Sequence, residues 1–235
     1  LRDVRLSILV VDDNSPDGTG AIADQLVAQS GGRVAVLHRQ AKDGLARAYL
    51  AGIGRALDEG ADLVLQMDCD FSHPPRFIPD LLAALPQADL VLGSRYVEGG
   101  RLDPQWAWWR KLLSWFANSV YVRAILGIPV HDATGGFRLW RRETLLGMDL
   151  QRRIHSTGYV FLVELSYVAW RLGYRIQQVP IEFPDRAAGD SKMNLAIQLE
   201  AARRVFEVRR RHRALSSQDR VSGERLAARS PTPNR

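Results

Sequence analysis

An α/β fold built on a mainly parallel sheet is what the sequence predicts, on three observations. Short apolar runs rich in Val, Ile and Leu, at Leu6 to Val11, Val34 to Leu37, Leu63 to Leu65 and Asp89 to Gly93, have the length and composition of buried strands. Helix-length segments with one apolar face lie between them, so strand and helix alternate. Three of the runs stop at charged clusters, Asp12-Asp13, Asp68-Cys69-Asp70 and Arg95. In open α/β sheets the crevice beyond the carboxyl ends of the strands is where ligands bind.

In chain order, Leu6 to Val11 ends at Asp12-Asp13-Asn14-Ser15-Pro16-Asp17-Gly18, a turn by composition, and Thr19 is placed to cap the helix through Ile22 and Leu26. Lys42-Asp43-Gly44-Leu45 leads into a helix through Ala48, Leu50, Ile53 and Leu57, which Gly60 stops. The Leu63 strand delivers Asp68 and Asp70, and His73-Pro74-Pro75 breaks it. A carboxylate pair at i and i+2 suits a hard divalent cation shared with phosphate oxygens, although Asp-x-Asp by itself equally describes a solvated loop. Arg95 adds a guanidinium suited to phosphate.

After Gly99-Gly100 the character changes. Four of the six tryptophans fall between Trp106 and Trp115, with Arg110 and Lys111 among them. That is the composition of a membrane-surface helix, and equally of a helix packing its aromatics on the sheet. Glu164 interrupts an apolar helix, Phe161 to Leu172, and is read as structural. Arg175 to Phe183 reads as a strand with Pro180 at an edge. Leu195, Leu199, Ala202 and Phe206 form the apolar stripe of a last helix.

With 235 residues, 46% hydrophobic and 25% charged, the chain has ordinary globular composition. Its single cysteine, Cys69, excludes an intramolecular disulfide. The net charge of +6 resides at the end: Arg203 to Arg235 holds ten arginines against three acidic residues. A disordered basic tail over 209–235 is expected after a catalytic domain over 1–208, and no nucleic-acid signature accompanies it. No apolar run is long enough to span a bilayer.

The segments DDNSPDGT, KDGLARAY, MDCDFSHPP, GSRY, DATGGFRLWRRE, GYVFLVEL and FPDRAAGDSK occur in one order and spacing. Together they resemble the polyprenol-phosphate (dolichyl-phosphate) mannosyltransferases of the inverting glycosyltransferase family 2. The resemblance implies a GT-A, Rossmann-like fold, GDP-mannose as donor, Mg²⁺ or Mn²⁺ as cofactor and a polyprenyl phosphate lipid as acceptor. It also implies a peripheral place on the cytoplasmic face of a membrane, reached directly or through a membrane-anchored partner.

By resemblance Asp68 and Asp70 bind the metal, with Ser72 where some relatives supply a further oxygen, and Asp13 contacts the nucleotide. Arg95, Arg110 and Ser114 receive phosphates, Asp132, Thr134 and Gly135 form the acceptor-side turn, and Arg186, Ser191 and Lys192 form a loop closing over the site. UDP-glucose-dependent relatives share the outline, and an inactive binding homologue is the other alternative. The family's first strand and helix, about one βα unit, have no counterpart ahead of Leu6. Either the sequence is a piece of a longer protein or the chain is a truncated member; if it is the entire polypeptide, weak folding and weak nucleotide binding are expected.

Overall fold

A computed structural model describes residues 4–184 and 195–221, the side chains of 195–199 excepted. The chain divides into two compact units, residues 1–62 and 63–235.

In the first unit, β1 (Ile8–Asp12) pairs in parallel with β2 (Val34–His38), bringing Asp12 opposite His38. The crossover is α1 (Thr19–Gln29), and α2 (Leu45–Asp58) follows. Thr19 does not cap α1. Gly18 occupies the cap with φ 86°, and Asp17 Oδ1 accepts hydrogen bonds from the Thr19 amide and hydroxyl instead. The cap needs a left-handed residue there, which glycine supplies without steric cost.

The second unit holds a four-stranded sheet in the order β3 (Leu63–Gln66), β6 (Arg138–Arg141), β4 (Leu90–Ser94), β7 (Ile176–Pro180). β4 and β7 are parallel, whereas β6 runs antiparallel to both of its neighbours. This inserted strand is absent from the sequence prediction, which places Arg138 to Trp140 only within the DATGGFRLWRRE segment. Arg138 disguises it. The residue is fully buried, yet its guanidinium turns back to donate to the Ala133 and Gly135 carbonyls, 2.7 Å each. A charge inside a strand is tolerable when the preceding turn offers it acceptors. Pro180 ends β7, which is an edge strand.

Leu81, Leu85, Ala88, Val91, Phe137, Leu139 and Ile181 form the core around this sheet. Phe137 and Leu139 flank the buried guanidinium in sequence, so β6 contributes both to the core and to the turn beside it. α3 (Ile78–Ala84) sits over it, and a two-residue parallel pair joins β5 (Arg101–Leu102) to β8 (Glu182–Phe183). The tryptophan segment is α4 (Trp108–Trp115), then a π-helical stretch over Phe116–Val122, then α5 (Arg123–Leu126). π-helical turns collect at functional sites. α6 (Arg142–Met148) and α7 (Leu150–Arg153) lead to α8 (Val160–Arg171), whose residues are buried almost throughout.

α9 (Leu195–His212) lies against α8. Among its described side chains Val205, Val208 and His212 are buried and Phe206 is exposed, so the expected stripe fails at Phe206, while Leu195 and Leu199 lie outside the described side chains. His212, polar and so outside any apolar stripe, is buried there, and its Nε2 meets Glu164 Oε1 at 2.7 Å. Glu164 also takes the Arg211 guanidinium at 2.9 Å and the amides of His155 and Ser156 at 3.0 and 2.7 Å. Burial works against its charge, but His212 and those two amides outweigh burial and bring its pKa to about 2.

The expected boundary at 208 falls inside α9, and the described residues after it, through Val221, pack on the end of α8. Arg220 donates to the Leu172 and Gly173 carbonyls at the end of α8 and lies 4.2 Å over the Tyr174 ring, while the Val221 amide reaches Gly147. Composition counts arginine as solvated. Here the guanidinium serves as a helix C-cap.

Candidate active site

β3 delivers its carboxylates through a turn that holds itself. Asp70 Oδ1 accepts the Ser72 amide at 3.1 Å and the Ser72 hydroxyl. Ser72 is fully buried, so it sits behind Asp70 and orients it. Between them Phe71 adopts φ 66° and is 77% exposed. A bulky residue in the left-handed region costs about 1–2 kcal/mol, and such strain collects at functional turns.

His73 closes the turn: its Nδ1 accepts the Asp68 backbone N–H at 2.9 Å. The ring stacks on Phe137 at 5.3 Å and meets Phe183 edge-on at 5.6 Å. Burial pushes the imidazole pKa down, and the neutral ring is the form this acceptor bond requires.

Gly136 lies beside Asp68. A Cβ there would stand 3.0 Å from His73 Cε1 and 3.2 Å from Asp68 Oδ2, so the position admits no side chain without movement. Among the described residues no cluster of three or more His, Cys, Asp or Glu side chains could enclose a metal. Two carboxylates at a strand end do fit a hard cation whose remaining ligands are phosphate oxygens and water.

The GSRY and DATGG segments meet as one network. Asp132, fully buried, accepts the Arg95 amide at 3.0 Å, Nε at 2.7 Å and Nη2 at 2.6 Å. Nη2 also donates to Thr134 Oγ1 at 3.0 Å, and Thr134 is held in turn by Asn118 Oδ1. Burial disfavours the Arg95 charge, but Asp132 more than compensates and raises its pKa. The edge carrying Nη1 is not used in these bonds. Asp132 and Thr134 therefore position Arg95, and the bonds they make to Arg95 and Asn118 turn them inward. Gly135 packs under Asp132, where a Cβ would come within 3.3 Å of Oδ1.

Arg95 lies 5.1 Å over the Tyr96 ring, whose hydroxyl meets Ser114 Oγ at 2.6 Å. It also lies 4.9 Å over Phe183, which contacts Trp106 edge-on, and Arg110 stacks on Trp106 at 3.7 Å. Arg95, Arg110 and Ser114 are thus brought into one neighbourhood by aromatic rings. Beside it runs an open groove of about 710 Å³, where Arg95, Arg101 and Lys111 join Trp108, Leu112 and Trp115. Cations beside apolar walls suit an amphiphile with an anionic head.

In the first unit Asp13 is ion-paired with Arg39, which also binds Asp43. The parallel pairing of β1 with β2 thereby joins the DDNSPDGT and KDGLARAY segments. Arg186, Ser191 and Lys192 lie outside the described residues. Sequence reasoning missed Arg39, His73, Asn118, Arg101 and Lys111. Asn118 had a signal, a lone amide within an apolar helical run. His73 stood inside a quoted motif but was read only as a strand breaker.

Among solved structures, glucosyl-3-phosphoglycerate synthase from Mycobacterium tuberculosis in complex with Mn²⁺, UDP and glucosyl-3-phosphoglycerate matches with a TM-score of 0.56 at 19% identity, covering 88% of this chain and 68% of that one. The fold is that of the GT-A glycosyltransferases. The family model for glycosyl transferase family 2 matches residues 2–146, and the chain belongs to that family. It is 48% identical over 203 residues to the undecaprenyl-phosphate mannosyltransferase of Micrococcus luteus, covering 86% of this chain and 82% of that protein. It is 45% identical over 204 residues to the polyprenol monophosphomannose synthase of Mycolicibacterium smegmatis, covering 86% and 76%.

Proposed function

We propose that this glycosyltransferase moves mannose from GDP-mannose to a polyprenyl phosphate, giving a polyprenyl-phosphate β-mannose with inversion at the sugar. The observation that carries the reading is the groove, whose lining joins Arg95, Arg101 and Lys111 with Trp108 and Trp115, on the same unit as the Asp68–Asp70 turn. Similarity at 45–48% identity to proteins named for polyprenyl-phosphate mannosylation supports the choice of acceptor and sugar.

In this reading the C1–oxygen bond to the nucleoside diphosphate breaks as the lipid phosphate oxygen attacks C1 from the opposite face. The acceptor is already anionic near pH 7, so no general base is required. Asp68 and Asp70 would hold Mg²⁺ or Mn²⁺, which would supply charge neutralisation to the departing diphosphate. Ser72 keeps Asp70 turned toward the site. Nη1 of Arg95, Arg110, Ser114 and Lys111 receive and align the acceptor phosphate, an orientation effect between two anions that repel each other. Asp13 contacts the nucleotide, and Arg186, Ser191 and Lys192 close over it.

The chain works at a membrane surface on the cytoplasmic side. Trp108 and Trp109 are 75% and 58% exposed, and Leu112 and Leu113 are also exposed. No helix among the described residues is long and apolar enough to cross a bilayer. An amphipathic helix rich in tryptophan that itself carries Arg110 and Lys111 suits peripheral insertion.

The test is transfer of labelled sugar into an organic-extractable product, with Mn²⁺ and undecaprenyl phosphate present and GDP-mannose or UDP-glucose as donor. Product from GDP-mannose alone is expected. Product from UDP-glucose alone, or from neither, would overturn the reading.

A further inference from the structure

We propose that His73 is a positioning residue for the cation-binding carboxylate of Asp68, acting through the acceptor bond from its Nδ1 to the Asp68 backbone N–H. The inference rests on the assignment of Asp68 to the cation. Asp68 is the second residue beyond the last one of β3, so the ladder no longer fixes its backbone. The direction of its side chain depends in part on what holds its amide, and the amide donates to His73 at 2.9 Å.

The ring cannot drift. It is 2% exposed, stacked on Phe137 at an interplanar angle of 18° and met on its edge by Phe183. Phe137 belongs to the core, so the anchor of the turn is the core of the second unit. Gly136 completes the arrangement, because a Cβ there would press on both His73 Cε1 and Asp68 Oδ2.

His73 is neither a cation ligand through Nδ1 nor a general base through it, because the Nδ1 lone pair is committed to the Asp68 amide. Nδ1 lies 4.0 Å from Asp68 Oδ2, beyond hydrogen-bonding distance. The imidazole therefore acts on the carboxylate through the backbone. Groups that orient a ligand from behind typically change metal affinity about 10–100-fold when removed.

The test is Mn²⁺ binding to the full chain with GDP, followed by electron paramagnetic resonance, for wild type, H73F, H73N, H73Q and D68A, with a thermal melt of each. Asn places its Oδ1 near the Nδ1 position, Gln places its oxygen further out, and Phe keeps the ring stack with no acceptor. H73F and H73Q are expected to weaken Mn²⁺ binding about 10-fold, and H73N to stay within about 3-fold of wild type. A packing role predicts the reverse order, with Phe nearest to wild type and Asn worst, and that order would overturn the proposal. If H73F fails to melt cooperatively, H73N against H73Q decides by the same rule. Loss of Mn²⁺ in D68A with no loss in H73F and H73Q would overturn the role of His73 alone. Full Mn²⁺ binding by D68A would overturn the cation assignment and this proposal with it.

Discussion

Asp68 and Asp132 are the same residue type, each packed beside one glycine of the Gly135-Gly136 pair, and they do opposite things. The Asp68 side chain is 37% exposed at a strand exit. Asp132 is fully buried and accepts three hydrogen bonds from Arg95. A buried carboxylate must spend its oxygens on internal partners, because the cost of desolvation is otherwise uncompensated. A carboxylate that keeps contact with solvent can exchange water for a ligand. The difference shows that charge at a strand end does not define a role. What the rest of the fold does with that charge defines it.

The division can be broken by substitution. Asp132→Ala should cost about 3–5 kcal/mol in urea unfolding, since it strands a buried guanidinium. A loss below about 1 kcal/mol would place Asp132 with the exposed carboxylates.

Glu164→Ala should cost on the order of 3 kcal/mol, because it leaves the buried His212 ring and the His155 and Ser156 amides without their acceptor. Its pKa is depressed to about 2 from 4.5. The stability it contributes is therefore complete above about pH 4.5 and lost as the pH falls toward 2. Glu164→Gln should flatten the acid limb of a stability–pH curve measured between those limits, and an unchanged slope would contradict the assignment.

Smaller effects follow at the surface. Replacing Trp108 and Trp109 with Ser should weaken binding to anionic vesicles about 10-fold in a flotation assay, given about 25 cal/mol per Å² of apolar surface withdrawn from water. Equal flotation would remove α4 from the membrane contact. Asp68→Asn should change unfolding by no more than about 0.5 kcal/mol, as for other substitutions away from buried networks. A large loss would erase the distinction from Asp132.

Much of the fold was legible because periodicity reports burial. The runs at Ile8–Asp12, Leu63–Gln66 and Leu90–Ser94 are strands, and the segment from Leu45 to Asp58 is a helix, as their apolar patterns require. The pattern failed where a polar side chain is inside. Arg138 hid β6, His212 is buried on α9 where Phe206 is exposed, and Arg220 caps α8 from a segment whose composition reads as solvated. Arg138 reaches back to carbonyls of the turn just before it, whereas His212 and Arg220 reach acceptors on α8 and at its end, far away in sequence; periodicity records neither kind of partner.

The candidate site was legible as residue types and not as a wiring. The motifs named Asp68, Asp70, Arg95, Asp132 and Thr134 together, yet only coordinates show Arg95 bound by Asp132 and Thr134. Lys111 and Arg101 were invisible as groove residues because surface cations carry no signature of their own.

The most direct measurement is mannosyl transfer by Asp70→Ala beside wild type, in the same assay with Mn²⁺, GDP-mannose and undecaprenyl phosphate, after matched unfolding midpoints show both are folded. The expected result is a fall in turnover of at least about 100-fold, the scale of several kcal/mol of charge stabilisation lost with the cation. Turnover within a few-fold of wild type would contradict the claim that the acidic turn beyond β3 holds the cation for sugar transfer.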